Sequence, residues 1–142
     1  MGNTAANMGD RFAPVPQPAS TPEDLRAALA QLAPAALPMF DTERAEAVRE
    51  ARETLNSAPL RRFVGQWAVY VAIERYPSRA ARLRELEALV AESDDFATIR
   101  EMVAEIGRIY DAAFIEAGIE PEGHTVTCTK SRQVRGKGRT RA

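Results

Sequence analysis

The chain has 142 residues, of which 45% are hydrophobic and 27% are charged, and these values are ordinary for one globular domain. Cys128 is the only cysteine, which excludes an intramolecular disulfide and a secreted fold held together by disulfides. No apolar run reaches the roughly 18 residues that a membrane span needs, and the N-terminus does not resemble a secretory signal. We therefore expect a cytoplasmic protein that does not enter a membrane.

Charge is distributed unevenly along the chain, although the net charge is only −1. Residues 1–122 contain all 20 acidic residues and 13 of the 19 basic ones, so this part carries −7. Residues 123–142 contain six basic residues and no acidic one, so this part carries +6. Such segregation is typical of a tail that contacts another molecule, and less typical of a folding element.

The first predicted helix follows a leader that lacks any hydrophobic period. Residues 1–20 contain a Pro-x-Pro-x-Pro series and are predicted to be disordered. Thr21 can cap a helix and Pro22 suits its first position, whereas Pro34 should end the helix near residue 33. The apolar positions between them have the spacing of one helix face: Leu25, Ala28, Leu29 and Leu32.

The second and third helices are predicted over about residues 41–56 and 60–75. The second has one apolar face and one charged face, on which Arg49 neighbours Glu46 and Glu53 and offsets the repulsion between Glu46 and Glu50. The third is apolar on nearly all sides, which is typical of a central, buried helix. Its residues 67–73 would also suit a buried strand, because β-branched and aromatic side chains favour strands. We predict a helix, since the chain offers no second strand of similar strength.

Trp67, within the third helix, is predicted to belong to the core, because its neighbours are apolar. An exposed patch that binds a partner is the alternative for this side chain.

Two further helices complete the prediction, over about residues 78–92 and 93–117. Residues 93–95 supply a cap and two acids for the start of the fifth helix, and Gly118 suits the left-handed position after its end. The spacing of its apolar residues is compatible with packing inside a bundle and with a homodimer. These residues alternate by three and four: Phe96, Ile99, Val103, Ile106, Tyr110, Ala113 and Ala117.

The sequence therefore predicts an all-α protein with a four- to five-helix bundle over residues 21–118. Residues 1–20 and 119–142 are predicted to be disordered tails, the second of them basic.

No combination of residues supports catalysis or metal binding. His124 and Cys128 are the only residues of their types, and they lie in the basic tail without a third group to orient them. Two ligands are too few for a structural zinc site, which takes about four. Glu101 and Glu105 share a helix face, but a dicarboxylate site in a bundle also needs Glu-x-x-His motifs on other helices. We therefore predict a protein that is not an enzyme and has no cofactor.

The basic tail is a candidate nucleic-acid arm that would bind phosphates without sequence preference. A strap on an acidic partner and a solvated extension without a specific role are the alternatives. The tail has no aromatic residue, so stacking on single-stranded bases is not supported. The candidate binding residues are Lys130, Arg132, Arg135, Lys137, Arg139 and Arg141.

The order of segments resembles a family of small helical proteins from actinobacteria. The resemblance covers residues 21–90 and is carried by the run Leu-Arg-Ala-Ala-Leu from residue 25, by Phe40-Asp41 before an acidic helix, and by Pro59-Leu60 leading to Trp67. Members of that family look like the antitoxin half of toxin–antitoxin pairs, next to toxins of the RelE/ParE type.

The resemblance implies a helical protein that binds a basic toxin by shape and charge. Its acidic second helix would offer the contact face: Glu43, Glu46, Glu50 and Glu53. The ordinary solvated side of an amphipathic helix is the alternative for these four residues. A nucleic-acid-associated protein that acts through the basic tail is the alternative function.

Overall fold

The computed structural model describes residues 15–119, which form five α-helices and one 3₁₀ turn. The α-helices are α1 (Pro22–Leu32), α2 (Leu37–Thr54), α3 (Ala58–Glu74), α4 (Pro77–Glu92) and α5 (Phe96–Ala117). The described part contains no strand, so the all-α prediction is confirmed, and residues 67–73 lie within α3. None of these helices has the length and apolar character needed to cross a membrane.

The central helix of the bundle is α3, which packs against all four other helices. It is apolar around most of its circumference, and it contributes about half of the core residues. Trp67 is only 4% exposed, which assigns it to the core. Its ring meets that of Phe40 edge to face, with 5.2 Å between the ring centroids.

The start of α2 differs from the sequence prediction. This helix begins at Leu37, about four residues earlier than expected, after a 3₁₀ turn over Pro34–Ala36. Pro38, which lies before the predicted helix, is part of the first turn of α2, where a backbone N–H would have no acceptor within the helix. The helix ends at Thr54 because Leu55 adopts a left-handed conformation, with φ of 52°.

The ends of α5 confirm one prediction and correct another. Gly118 has φ of 67° and terminates the helix as expected. The N-terminal cap, however, is Asp95 and not Ser93, because the Asp95 carboxylate accepts the Thr98 N–H at 3.1 Å. Ser93 instead follows the last residue of α4.

The packed domain extends beyond the predicted limits of residues 21 and 118. Gln17 donates its side-chain N–H to the carbonyl of Ala68 at 3.1 Å, and Arg75 donates to the carbonyl of Val15 at 2.8 Å. These bonds hold an extended segment against α3, so residues 15–20 are not part of a disordered leader. At the other end, Ile119 packs against the core. Hydrophobic periodicity did not reveal these contacts, because an extended segment held by hydrogen bonds has no helical period.

Candidate functional site

Glu43, on the predicted contact face of α2, supports the core. The indole N–H of Trp67 donates to Glu43 Oε2 at 2.8 Å, and this bond joins α3 to α2. Because Trp67 is buried, loss of that acceptor would leave a polar group without a partner. The sequence pattern placed Glu43 correctly on a charged face, but its partner became visible only when the two helices were brought together.

The other three glutamates of the predicted contact face are paired with arginines. Arg49 bonds to Glu46 and, at 2.7 Å, to Glu53, as the spacing on α2 suggested. Arg62 of α3 lies 3.4 Å from Glu50. The hydrogen bond from Arg49 lowers the pKa of Glu46. Exposed pairs of this kind are individually weak, but they reduce the negative potential of the surface. We call the four glutamates the α2 stripe.

A groove of about 1100 Å³ between α3, α4 and α5 was not predicted from the sequence. Its floor is apolar and consists mainly of Val69, Ile73, Leu83, Tyr110 and Phe114. The sequence assigned most of these positions to the core, because helical spacing cannot show where three packed helices diverge. The partial exposure of Tyr110 and Phe114 leaves the groove open to solvent.

Charged side chains surround this apolar floor. Arg61 and Arg62 lie at the start of α3, and Arg84 of α4 pairs with Glu74 of α3. The Arg61 guanidinium donates to Ser57 Oγ at 3.2 Å, and it has no carboxylate partner among residues 15–119. The rim therefore presents a positive charge, that of Arg61, at the end of the groove where α3 begins.

Two tyrosines line the groove. Burial raises the pKa of Tyr70, and the neighbouring Glu74 carboxylate raises it further. Burial also raises the pKa of Tyr110, with an additional contribution from Glu87. Both phenols are therefore protonated at neutral pH and are suited to donate hydrogen bonds.

Residues 13–109 match a family of unknown function, DUF6247. The chain belongs to DUF6247. The matched part contains α1 to α4 and more than half of α5, so both the α2 stripe and most of the groove lie within it. Comparison of this DUF6247 protein with curated proteins and with solved structures gave no match.

Residues 15–119 contain no cluster of three or more histidine, cysteine or acidic side chains suited to a metal ion. They also contain no buried polar or charged residue. The candidate nucleic-acid residues 130–141, together with His124 and Cys128, lie outside the described residues.

A second charged cluster in the DUF6247 protein has a structural role. Arg79 donates to both carboxylate oxygens of Glu116, at 2.8 and 3.1 Å, and its guanidinium lies 4.4 Å from the centroid of the Tyr76 ring. Arg75 lies beside them and holds the extended segment at Val15. Arg79 thus joins the start of α4 to the end of α5, and Arg75 holds the segment before α1 next to them. The charges of this cluster are already paired within the protein.

Proposed function

We propose that this DUF6247 protein is a non-enzymatic helical module that binds another protein in the groove between α3, α4 and α5. The observation that carries the proposal is the apolar groove, in which the side chains of Tyr110 and Phe114 are partly exposed to solvent. An amphipathic helix placed in such a groove buries its apolar face and leaves its polar face in water. The energy of binding would come mainly from the aromatic floor residues Tyr110 and Phe114.

The rim is positive where α3 begins, which favours an acidic group of the partner at that end, whereas Glu87 of α4 places a carboxylate near Tyr110. Arg61 and Arg62 are both exposed at the start of α3, and Arg61 has no carboxylate partner in the described part of the chain. A helix with a carboxylate beside its apolar face would pair with the Arg61 guanidinium as it entered the groove. We therefore propose an acidic amphipathic segment as the occupant.

The antitoxin-like role implied by the resemblance is the second form of this proposal. It would place a basic RelE/ParE-type toxin on the α2 stripe. Each glutamate of that stripe is already bonded within the protein, so a basic partner would have to compete with Arg49, Arg62 and Trp67. For this reason we place the groove first and the α2 stripe second. The nucleic-acid role of residues 130–141 stays a prediction.

A photo-crosslinking amino acid can test the groove in the protein's own cells. It is introduced in place of Gln66, which lines the groove, and, in a control protein, in place of the exposed Gln31 of α1. We expect one discrete adduct from position 66 and none from position 31. The captured partner is then identified and purified.

Binding of that purified partner is measured by calorimetry with two charge-reversed proteins. Arg61→Glu changes the groove rim without touching an ion pair of the α2 stripe, and Glu46→Lys with Glu53→Lys changes the α2 stripe. We expect the first protein to bind at least tenfold more weakly and the second to bind almost as well as the wild type. Loss of binding only in the second protein would assign the partner to the α2 stripe and overturn the groove assignment. A failure to form any adduct from position 66 would contradict the proposal.

A further inference from the structure

One edge of α5 carries a stripe with exposed apolar side chains, which continues from the groove towards the N-terminal end of the helix. Phe96 is 77% exposed and Val103 is 51% exposed, while Tyr110 and Phe114 are partly buried where they line the groove. Six residues at alternating spacings of four and three form this edge: Phe96, Arg100, Val103, Gly107, Tyr110 and Phe114. At 1.5 Å per residue the edge is about 27 Å long. The alternation is that of a coiled-coil seam.

The α5 edge is symmetric about its midpoint at residue 105. If a second α5 lies antiparallel against the first in this register, Phe96 meets Phe114 of the second copy. Val103 then meets Gly107 of the second copy, and Arg100 meets the ring of Tyr110. Each contact occurs twice, as a two-fold interface requires.

The residue types at these positions suit their counterparts. A Cβ atom added at Gly107 would meet no atom within 4 Å, so this glycine leaves a hollow that a valine from another copy can fill. Two aromatic rings facing each other and an arginine facing a tyrosine ring are favourable pairs.

The exposed charges beside the stripe also complement a second copy. Neither Arg100 nor Asp111 forms an ion pair within residues 15–119. They are eleven positions apart on α5, or about 16 Å, which is too far for a bond within one chain. In the antiparallel register Arg100 of each copy approaches Asp111 of the other copy, so both charges gain a partner when the dimer forms.

We propose that the α5 edge is an antiparallel homodimer interface. The inference goes beyond the proposed function, because it names a second copy of this chain as the partner of α5. The second copy and the acidic segment would both contact Tyr110 and Phe114, where the α5 edge meets the groove. The residues that decide it, Arg100, Val103 and Gly107, do not line the groove.

Sedimentation equilibrium of the full chain over a range of concentrations tests the proposal. We expect a reversible dimer and a dissociation constant at least tenfold higher for Val103→Glu. Ile115→Glu is the matched control, because Ile115 is 80% exposed on the same helix but outside the stripe. Gly107→Leu should also weaken the dimer while leaving the helical circular-dichroism spectrum unchanged, since a Cβ atom at this exposed position meets no atom of its own copy within 4 Å.

Charge reversal tests the register. Arg100→Asp and Asp111→Arg should each weaken association, and the two together should restore it, because the pair re-forms only between copies. A protein that stays monomeric at every concentration would overturn the proposal, as would equal weakening by Ile115→Glu or a double variant no better than the single ones. If the protein is monomeric but still gives the adduct from position 66, only the dimer proposal is contradicted. If it dimerises but gives no adduct from position 66, only the groove proposal is contradicted.

Discussion

Trp67 of α3 donates its indole N–H to the carboxylate of Glu43 on α2, at 2.8 Å. The ring is also held by Phe40, which packs in turn on Phe63 with 5.0 Å between the ring centroids. Glu43, which lies on the otherwise exposed face of α2, is therefore hydrogen-bonded to the aromatic cluster of the core. This geometry separates Glu43 from the other three residues of the α2 stripe, which pair with arginines near the surface.

Glu43→Ala should lower the free energy of unfolding by about 1–3 kcal/mol, because it leaves the buried indole N–H without an acceptor. Glu43→Gln should cost less, since the amide oxygen can still accept the bond. Urea denaturation followed by circular dichroism measures both. Glu50→Ala, on the same helix face, is the control and should change stability by no more than about 0.5 kcal/mol. Equal losses in Glu43→Ala and Glu50→Ala would mean that the indole bond does not stabilise the fold.

Replacing Leu55 with glycine should stabilise the protein. Leu55 is 93% exposed and has φ of 52°, so it contributes little burial and adopts a conformation that costs a side-chain-bearing residue roughly 1–2 kcal/mol. Glycine avoids that strain but loses more backbone entropy on folding, so we expect a net gain of about 0.5 kcal/mol. Leu55→Ala removes the same exposed side chain without relieving the strain and should give no gain. A gain of the same size in Leu55→Ala would contradict the explanation.

Gln17→Ala should destabilise the fold by about 1 kcal/mol, because it removes a partly buried hydrogen bond to the carbonyl of Ala68. It also removes one of the two acceptors that Arg75 has on this segment, the other being the carbonyl of Val15. Gln31→Ala, at an exposed position of α1, should have no measurable effect. The comparison is made by urea denaturation. Equal stability of the two variants would show that the segment before α1 contributes nothing to the folded state.

The cap of α5 should make stability depend on pH in the acidic range. The Thr98 side chain and backbone donate hydrogen bonds to Asp95, which lowers the pKa of its carboxyl in the folded protein. Stability from this carboxylate is therefore fully present above the unfolded pKa, near 3.8, and is lost as the pH falls through the lower folded pKa.

Asp95→Asn keeps a capping side chain that does not titrate. At pH 7 the melting temperature of the wild type should be the higher of the two, and at pH 2 the difference should shrink or vanish. Asp94→Asn is the control, because Asp94 accepts no hydrogen bond among the described residues. A difference between Asp95→Asn and the wild type that is the same at both pH values would contradict this assignment.

Local sequence signals were sufficient to predict the helices of this protein. Apolar spacing, proline positions and capping residues act within a few residues, so the start of α1 at Pro22 and the end of α5 at Gly118 followed from them directly. The same signals misplaced the start of α2, because Pro38 is tolerated in the first turn of a helix as well as in a connector.

The relationships between helices were decided by the tertiary structure. The bond from Trp67 to Glu43 joins residues 24 positions apart, and the groove forms where α3, α4 and α5 diverge. The segment at Gln17 and the exposed part of the α5 edge likewise depend on which neighbours reach them. Helical periodicity identifies which side of a helix avoids water, but it does not specify what covers that side or where the cover ends. That choice is made by packing among all the helices at once.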